Sequence, residues 1–376
     1  MEGNVGIVNE KDEVIGVSAP GKLMLSGEWS VLEKGNPCIV LAMDKKVIAR
    51  IRESDKCYIK LKSLGISTNA KIEGTNVITE KEDGKLAFTK HAIHTALEYL
   101  KGKGINPKNF ELETDSEMKT DSREAEKLGF GSSAAAVVAI SGAVLKLHGG
   151  EIETEQEKEV LFKLGIIAHY FAQSKIGSGF DVAASTFGGA LLYRKFDPQW
   201  LEGKLKEKSV FGVVNSKWPW LEHKNIELPR QMRVVVGFTG KSASTKELVT
   251  RLKSFREGQK EDYGRIISEI VQITTSLVGA LEKQDNKKIL HLLERNRNAL
   301  RELSDKSGAG LETAELEKIA LAAKKYGAAG KFSGAGGGDC GIAVCFDKNT
   351  EAKIKKEFAA QGITVIPVGI SRDGAK

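Results

Sequence analysis

The sequence predicts an α+β chain of about two domains, and three observations lead there. Its 376 residues exceed the usual length of one domain and allow a substantial buried core. Its first half intersperses short β-branched or alternating runs with segments of helical period. After Pro229 a strand-like run gives way to a long helical stretch, and the chain closes on strand, helix and strand.

In chain order, residues 14–17, 39–42, 47–51, 57–61 and 110–114 read as strands. Between them, 85–100 set Ala92, Ile93, Ala96, Leu97 and Leu100 at helical spacing, and Gly102 and Gly104 stop that helix. Residues 128–145 carry no charge and approach the length of a short membrane span. They are mostly Gly, Ser, Ala and Val, however, with little to drive insertion, so they read as a buried helix entered through a Gly/Ser loop. Residues 156–174 repeat the helical pattern with Val160, Leu161, Leu164, Ile167, Ala168 and Phe171. The stretch 193–230, holding Trp200, Trp218 and Trp220, reads as an irregular connection in which the tryptophans can pack inside, and it contains the boundary between domains placed at 1–210 and 211–376. Thereafter 232–238 is a strand, about four helical segments lie between Thr245 and Tyr326, and 341–346, 350–361 and 363–368 are strand, helix and strand.

Composition narrows the partners. Lys and Arg total 57 against 50 acidic residues, a net charge of +7 spread along the chain, which suits an anionic small substrate. No basic run with interleaved aromatics occurs and aromatic content is 6%, which argues against nucleic acid. Cys38, Cys57, Cys340 and Cys345 have neither CxxC nor metal-ligand spacing, so a reducing, cytoplasmic setting is expected. Residues 1–13 are polar and acidic, unlike a secretory signal, and no membrane partner is expected. The oligomeric state is left open between monomer and homodimer.

Three stretches carry the chemistry. In Ser333-Gly334-Ala335-Gly336-Gly337-Gly338-Asp339-Cys340, between a helix and a strand, the glycines let successive amides turn inward as an anion-binding concavity, or make a tight helix-to-strand connection. Leu128-Gly129-Phe130-Gly131-Ser132-Ser133-Ala134 runs straight into the small-residue helix, where amide donors and the positive end of the helix dipole favour phosphate and a Ser hydroxyl can reach Mg²⁺. The alternative is a Gly/Ser-capped helix packed closely on a neighbour. Neither a GxxxxGK[ST] loop nor a GxGxxG dinucleotide fingerprint is present. Ala19-Pro20-Gly21-Lys22 places a lysine at the end of a strand, where it can put a point charge into a cleft.

These three motifs, in this order and at these separations, resemble the GHMP kinase superfamily, with landmarks from Ala19 to Cys340. Within it, the run 333–340, Gly177-Ser178-Gly179-Phe180-Asp181-Val182-Ala183-Ala184 and the run 237–249 are most similar to phosphomevalonate kinases. Mevalonate kinases typically carry a GEH-type first motif where this chain has Gly27-Glu28-Trp29. The resemblance implies a GHMP kinase fold: a ribosomal protein S5 domain 2-like N-terminal domain, a ferredoxin-like C-terminal domain and a site between them.

By the same resemblance, Gly129, Phe130, Gly131, Ser132, Ser133 and Ala134 hold the phosphates of ATP, and Ser133 is the Mg²⁺ ligand. Asp181 orients the attacking oxygen and accepts its proton, while Lys22 stabilises the anions. Lys22, Glu28, Ser178, Lys241, Ser242, Ser244, Thr245, Ser333, Gly334, Ala335 and Gly336 hold phosphomevalonate. From the residues alone, Asp181 reads first as an N-cap of 182–186, and Ser242 to Thr245 make a helix-start anion site or an N-cap with spare hydroxyls. Many relatives add a metal-binding Glu about three turns before the catalytic Asp; this chain has His169 and Tyr170 there. The stretch 115–127 is the candidate for holding adenine. His91 and His94 read as a half-buried helix face. The implied activity is phosphoryl transfer from ATP to 5-phosphomevalonate; the alternatives are mevalonate kinase, the mevalonate-diphosphate decarboxylase of the same superfamily, and a ligand sensor without turnover.

Overall fold

The computed structural model describes residues 13–118, 128–241 and 245–376. Strand β1 (Ile15–Ser26) pairs antiparallel with the 17-residue β2 (Pro37–Glu53), so the runs expected at 39–42 and 47–51 are one continuous strand. β2 is nearly all buried over its first seven residues and alternates afterwards, because its first part lies under helices and its second part has one face toward solvent. β3 (Cys57–Leu61), β4 (Ile66–Glu73), β5 (Asn76–Thr79), β6 (Phe110–Ser116), β7 (Ala190–Arg194) and β8 (Glu222–Asn225) complete an eight-stranded sheet. Its order is β5-β4-β3-β6-β2-β7-β8, with β1 pairing only β2. The hairpin β4–β5 was not foreseen. Its outward residues Ser67, Asn69, Lys71 and Glu73 are polar, and the turn rests on Gly74 at φ 64°.

Helices α1 (Ala87–Gly102), α2 (Ser132–Leu147), α3 (Glu155–Ala172) and α4 (Phe180–Phe187) cover this sheet. α2 is the uncharged stretch, and its small side chains let it lie against β1 and β2 with Ala134 to Leu145 almost wholly buried. Among the described residues no helix is long and apolar enough to cross a membrane. A capping box starts α3, with Thr154 accepting from the Glu157 amide and Glu157 reaching back to the Thr154 amide.

The connection expected to be irregular is ordered. Asp197 caps α5 (Pro198–Glu207), with Pro198 in the first turn, and Ser209 caps α6 (Val210–Val214). Trp218 is buried against Phe196 and Trp200, and Trp220 stands exposed. The division expected at 210/211 falls inside α6, after its first residue, and β8 beyond it still belongs to the first sheet through its pairing with β7.

The second sheet follows. β9 (Arg233–Phe238) leads into four helices, α7 (Thr245–Gly258), α8 (Lys260–Glu282), α9 (Asn286–Ser307) and α10 (Ala314–Lys325). β10 (Ala329–Phe332), β11 (Cys340–Cys345), α11 (Lys348–Ala360) and β12 (Thr364–Ile366) close it. The antiparallel order β10-β11-β9-β12 is that of the ferredoxin-like arrangement the sequence implied. α8 joins the two halves: Thr274 on it bonds Ser26 on β1 at 2.7 Å, and Tyr263 donates to Glu33.

Close approach of α3 to α4 depends on Gly165, where a Cβ would lie 2.7 Å from Val182 Cγ1. Substitution Gly165→Val therefore forces two buried helices apart and should lower stability by about 1–3 kcal/mol, read as a lower urea midpoint at unchanged slope.

Candidate active site

Strand β1 supplies the first side chain. Pro20 and Gly21 sit at a register shift in its pairing with β2, so Lys22 lies within the strand and not at its end. Its amide donates to the Phe130 carbonyl at 2.8 Å, and its Nζ donates to the Gly129 carbonyl at 3.0 Å. The ammonium also faces the Phe180 ring at 5.8 Å. Lys22 is thus tied by both ends to the second glycine loop.

That loop enters α2 through Gly131, at φ 72°, and no side chain caps the helix. The first-turn amides keep their donors, and the dipole adds positive potential there. Gly131 also gives passage to Lys22, whose Cγ and Cε would lie 3.1 and 3.2 Å from a Cβ at that position. Opposite stands α4. Gly179, in left-handed conformation, is its N-cap, so Asp181 lies one residue inside the helix and is not the cap that the sequence also allowed. One carboxylate oxygen of Asp181 accepts from the Val182 amide, and the other is 3.8 Å from His169 Nε2. His169, near the end of α3, is buried, and its Nε2 is 3.2 Å from Ser133 Oγ. Burial pushes its pKa below the ordinary histidine value, and the Asp181 carboxylate opposes that shift.

The third loop closes the wall. Ser333 Oγ accepts from the Met24 amide at 2.8 Å and donates to the Met24 carbonyl, so this hydroxyl is committed to β1. Asp339 holds a left-handed backbone, donates its amide to the Lys241 carbonyl and lies against Gly129, where a Cβ would come within 2.7 Å of its own Cβ. Cys340 Sγ donates to the Leu128 carbonyl.

Together these groups enclose a cleft of about 420 Å³. Lys22, Glu28, Gly129, Phe130, Gly131, Ser132, Ser133, Ser178, Asp181, Ser333, Gly334 and Ala335 all line it, as do Trp29 and Asp339, to which the sequence reading gave no role. Three expected residues do not. Ala134 is buried within α2, Gly336 turns away toward the Leu311 backbone, and Lys241 is exposed. Ser242 and Ser244 lie outside the described residues, as does most of 115–127. Thr245 begins α7, and its side chain is not described.

Glu28, which lines the cleft, also has a partner inside the wall. It is buried and its Oε1 accepts from Lys331 Nζ, which also donates to the Phe332 carbonyl. Burial pushes the carboxyl up and the ammonium down, and their mutual attraction opposes both shifts. The pair pins the first motif to β10 and leaves Glu28 an internal partner. Lys331 was missed in the sequence, although a lone lysine in the apolar strand Ala329–Phe332 is the signal that marks it.

Comparison with known proteins agrees with this geometry. The family model for the GHMP kinases N terminal domain matches residues 88–189, and that for GHMP kinases C terminal matches 277–364. A phosphomevalonate kinase of Streptomyces sp. (strain CL190) is 30% identical over 95% of this chain and 97% of its own. A mevalonate kinase of Pyrococcus abyssi (strain GE5 / Orsay) is 29% identical over 96% of each. The solved structure of Streptococcus pneumoniae phosphomevalonate kinase in complex with phosphomevalonate and AMPPNP superposes with a TM-score of 0.83 at 26% identity, covering 95% of this chain and 99% of that one.

The buried pair gives a direct test of this wall. Lys331→Met strands a buried carboxylate and should cost about 3–5 kcal/mol, whereas Lys331→Met with Glu28→Gln should recover a large part of that loss in urea unfolding.

Proposed function

The chain belongs to the GHMP kinases, and from that premise we propose that it transfers the γ-phosphoryl group of ATP to (R)-5-phosphomevalonate, giving mevalonate 5-diphosphate and ADP. The observation that carries the reading is the meeting of Lys22, Asp181 and the uncapped start of α2 in one cleft. Phosphoryl transfer asks for in-line positioning and for neutralisation of charge spread over the equatorial oxygens. Among the described residues this cleft offers the Lys22 ammonium, a fan of amide donors and, facing them, the carboxylates of Asp181 and Asp339.

In the proposed reaction the 128–134 loop and the first turn of α2 bind the ATP phosphates. An oxygen of the acceptor's phosphate forms the new bond to the γ-phosphorus as the bond from that phosphorus to the β–γ bridging oxygen breaks, and ADP leaves with that oxygen. Asp181 orients the attacking oxygen and takes its proton when it carries one. With a second phosphate pKa of about 6, the acceptor is largely ionised near neutrality, so orientation outweighs proton removal. Lys22 holds the attacking and transferring oxygens together. Residues 1–210 supply the nucleotide side, and 211–376 complete the acceptor side through the third loop and α7.

Magnesium fits the donor set in a limited way. Among the described residues no three His, Cys, Asp or Glu side chains gather as a metal cage. Mg²⁺ on a nucleotide keeps phosphate and water ligands and needs only one or two from protein, and the hydroxyl oxygen of Ser133 at the start of α2 meets that need. When bound, the ion would neutralise phosphate charge.

The phosphorylated acceptor is favoured by Gly27-Glu28-Trp29, in place of the GEH-type motif of mevalonate kinases, and by the pneumococcal relative that holds phosphomevalonate. Mevalonate is the second reading, favoured by relatives of that name at similar identity.

The test is ADP release with Mg-ATP and either acceptor. Turnover is expected on 5-phosphomevalonate. Asp181→Asn should lower kcat by about 10²-fold with an unchanged melting temperature. Near-wild-type turnover by a folded Asp181→Asn would remove its role, and turnover on mevalonate alone would move the assignment to the second reading.

A further inference from the structure

His169 joins the two ends of the cleft. It projects from the last turn of α3, is 1% exposed, and packs on the Phe88 ring with centroids 5.3 Å apart. Its Nε2 lies 3.2 Å from Ser133 Oγ, on the nucleotide side, and 3.8 Å from Asp181 Oδ2, on the acceptor side. Its Nδ1 is buried and has no hydrogen-bond partner among the described residues. A proton on Nδ1 would be a buried donor with no acceptor among the described residues, whereas a proton on Nε2 has Ser133 Oγ within reach. The geometry therefore selects the Nε2–H tautomer. In that state the ring donates toward Ser133 Oγ, which turns the hydroxyl proton and a lone pair outward to the nucleotide. Asp181 Oδ2, at 3.8 Å, is beyond hydrogen-bond reach and meets the same N–H as an electrostatic neighbour.

We propose, building on the function inferred above, that His169 is a positioning residue that sets the Ser133 hydroxyl and the Asp181 carboxylate relative to each other. It stands between the two sides of the cleft as a fixed N–H donor. The ring is absent from the cleft lining, so its effect runs through Ser133 and Asp181.

The experiment compares His169→Gln, His169→Asn and His169→Leu in the full chain. The longer amide of Gln can bring an N–H near the Nε2 position, the shorter Asn reaches only the Nδ1 position, and Leu fills space without a donor. Three quantities are read: the melting temperature, kcat and KM for ATP and acceptor, and the affinity for ADP with and without Mg²⁺ by calorimetry. His169→Leu and His169→Asn should lose about 10- to 100-fold in kcat with KM for ATP within about threefold, and the gain in ADP affinity on adding Mg²⁺ should shrink. His169→Gln should restore most of both.

A folded Leu variant with wild-type kcat and wild-type response to Mg²⁺ would overturn the proposal. So would a Gln variant as impaired as Leu, since that marks a packing role. If Leu does not fold, the contrast between Gln and Asn still decides. Should the wild type turn over neither acceptor, the functional reading fails separately, and the ADP calorimetry still tests His169.

Discussion

The free edge of β1 is the constraint on which the rest of the site depends. β1 pairs with β2 on one side only, and an edge strand left open exposes a row of unpaired amides and carbonyls. Here the other edge is occupied by loops. Ser18 exchanges two backbone hydrogen bonds with Lys376, the Ser185 hydroxyl donates to the Pro20 carbonyl, the Lys22 amide donates to the Phe130 carbonyl, and both backbone groups of Met24 pair with Ser333 Oγ. Each bond is worth only about 0.5–1.5 kcal/mol net. Together they dock the second loop, α4 and the third loop on one strand. A shift of β1 would move Lys22, the second loop and Ser333 together, which keeps their spacing fixed.

Charge is arranged around that seam with economy. Glu28 and Lys331 neutralise each other inside the wall, so they hold structure without adding a field. The positive potential comes from Lys22 and the uncapped start of α2, and the negative side chains facing it are Asp181 and Asp339. Amide donors and one ammonium thus share the cleft with two carboxylates, and the α2 end is the place where an anion is favoured.

Much of this was legible in the sequence because it is local. Glycine spacing at 129–131 and 334–338 reports backbone shape directly, and the small-residue run after it reports a helix that must lie close to strands. Asp181 was legible only through its motif, since a lone Asp before a helix reads as a cap; Gly179, taking left-handed backbone, supplies the cap instead. What sequence could not show is pairing across long separation. Glu28 is 303 residues from Lys331 and His169 is 36 from Ser133, and nothing local tells that these side chains meet. The helices at 198–214 escaped for another reason: their apolar residues are few and separated by charges, and their starts are set by Asp197 and Ser209 caps within a stretch that looks like a linker.

The central claim is that the cleft joins one phosphate to another, and phosphorus NMR of the product mixture tests it most directly. With ATP and 5-phosphomevalonate the account predicts loss of the monoester singlet and growth of a new pair of coupled doublets from a diphosphate ester alongside ADP. A mixture in which the phosphomevalonate singlet persists, while mevalonate supplied in its place yields a monoester, would contradict it.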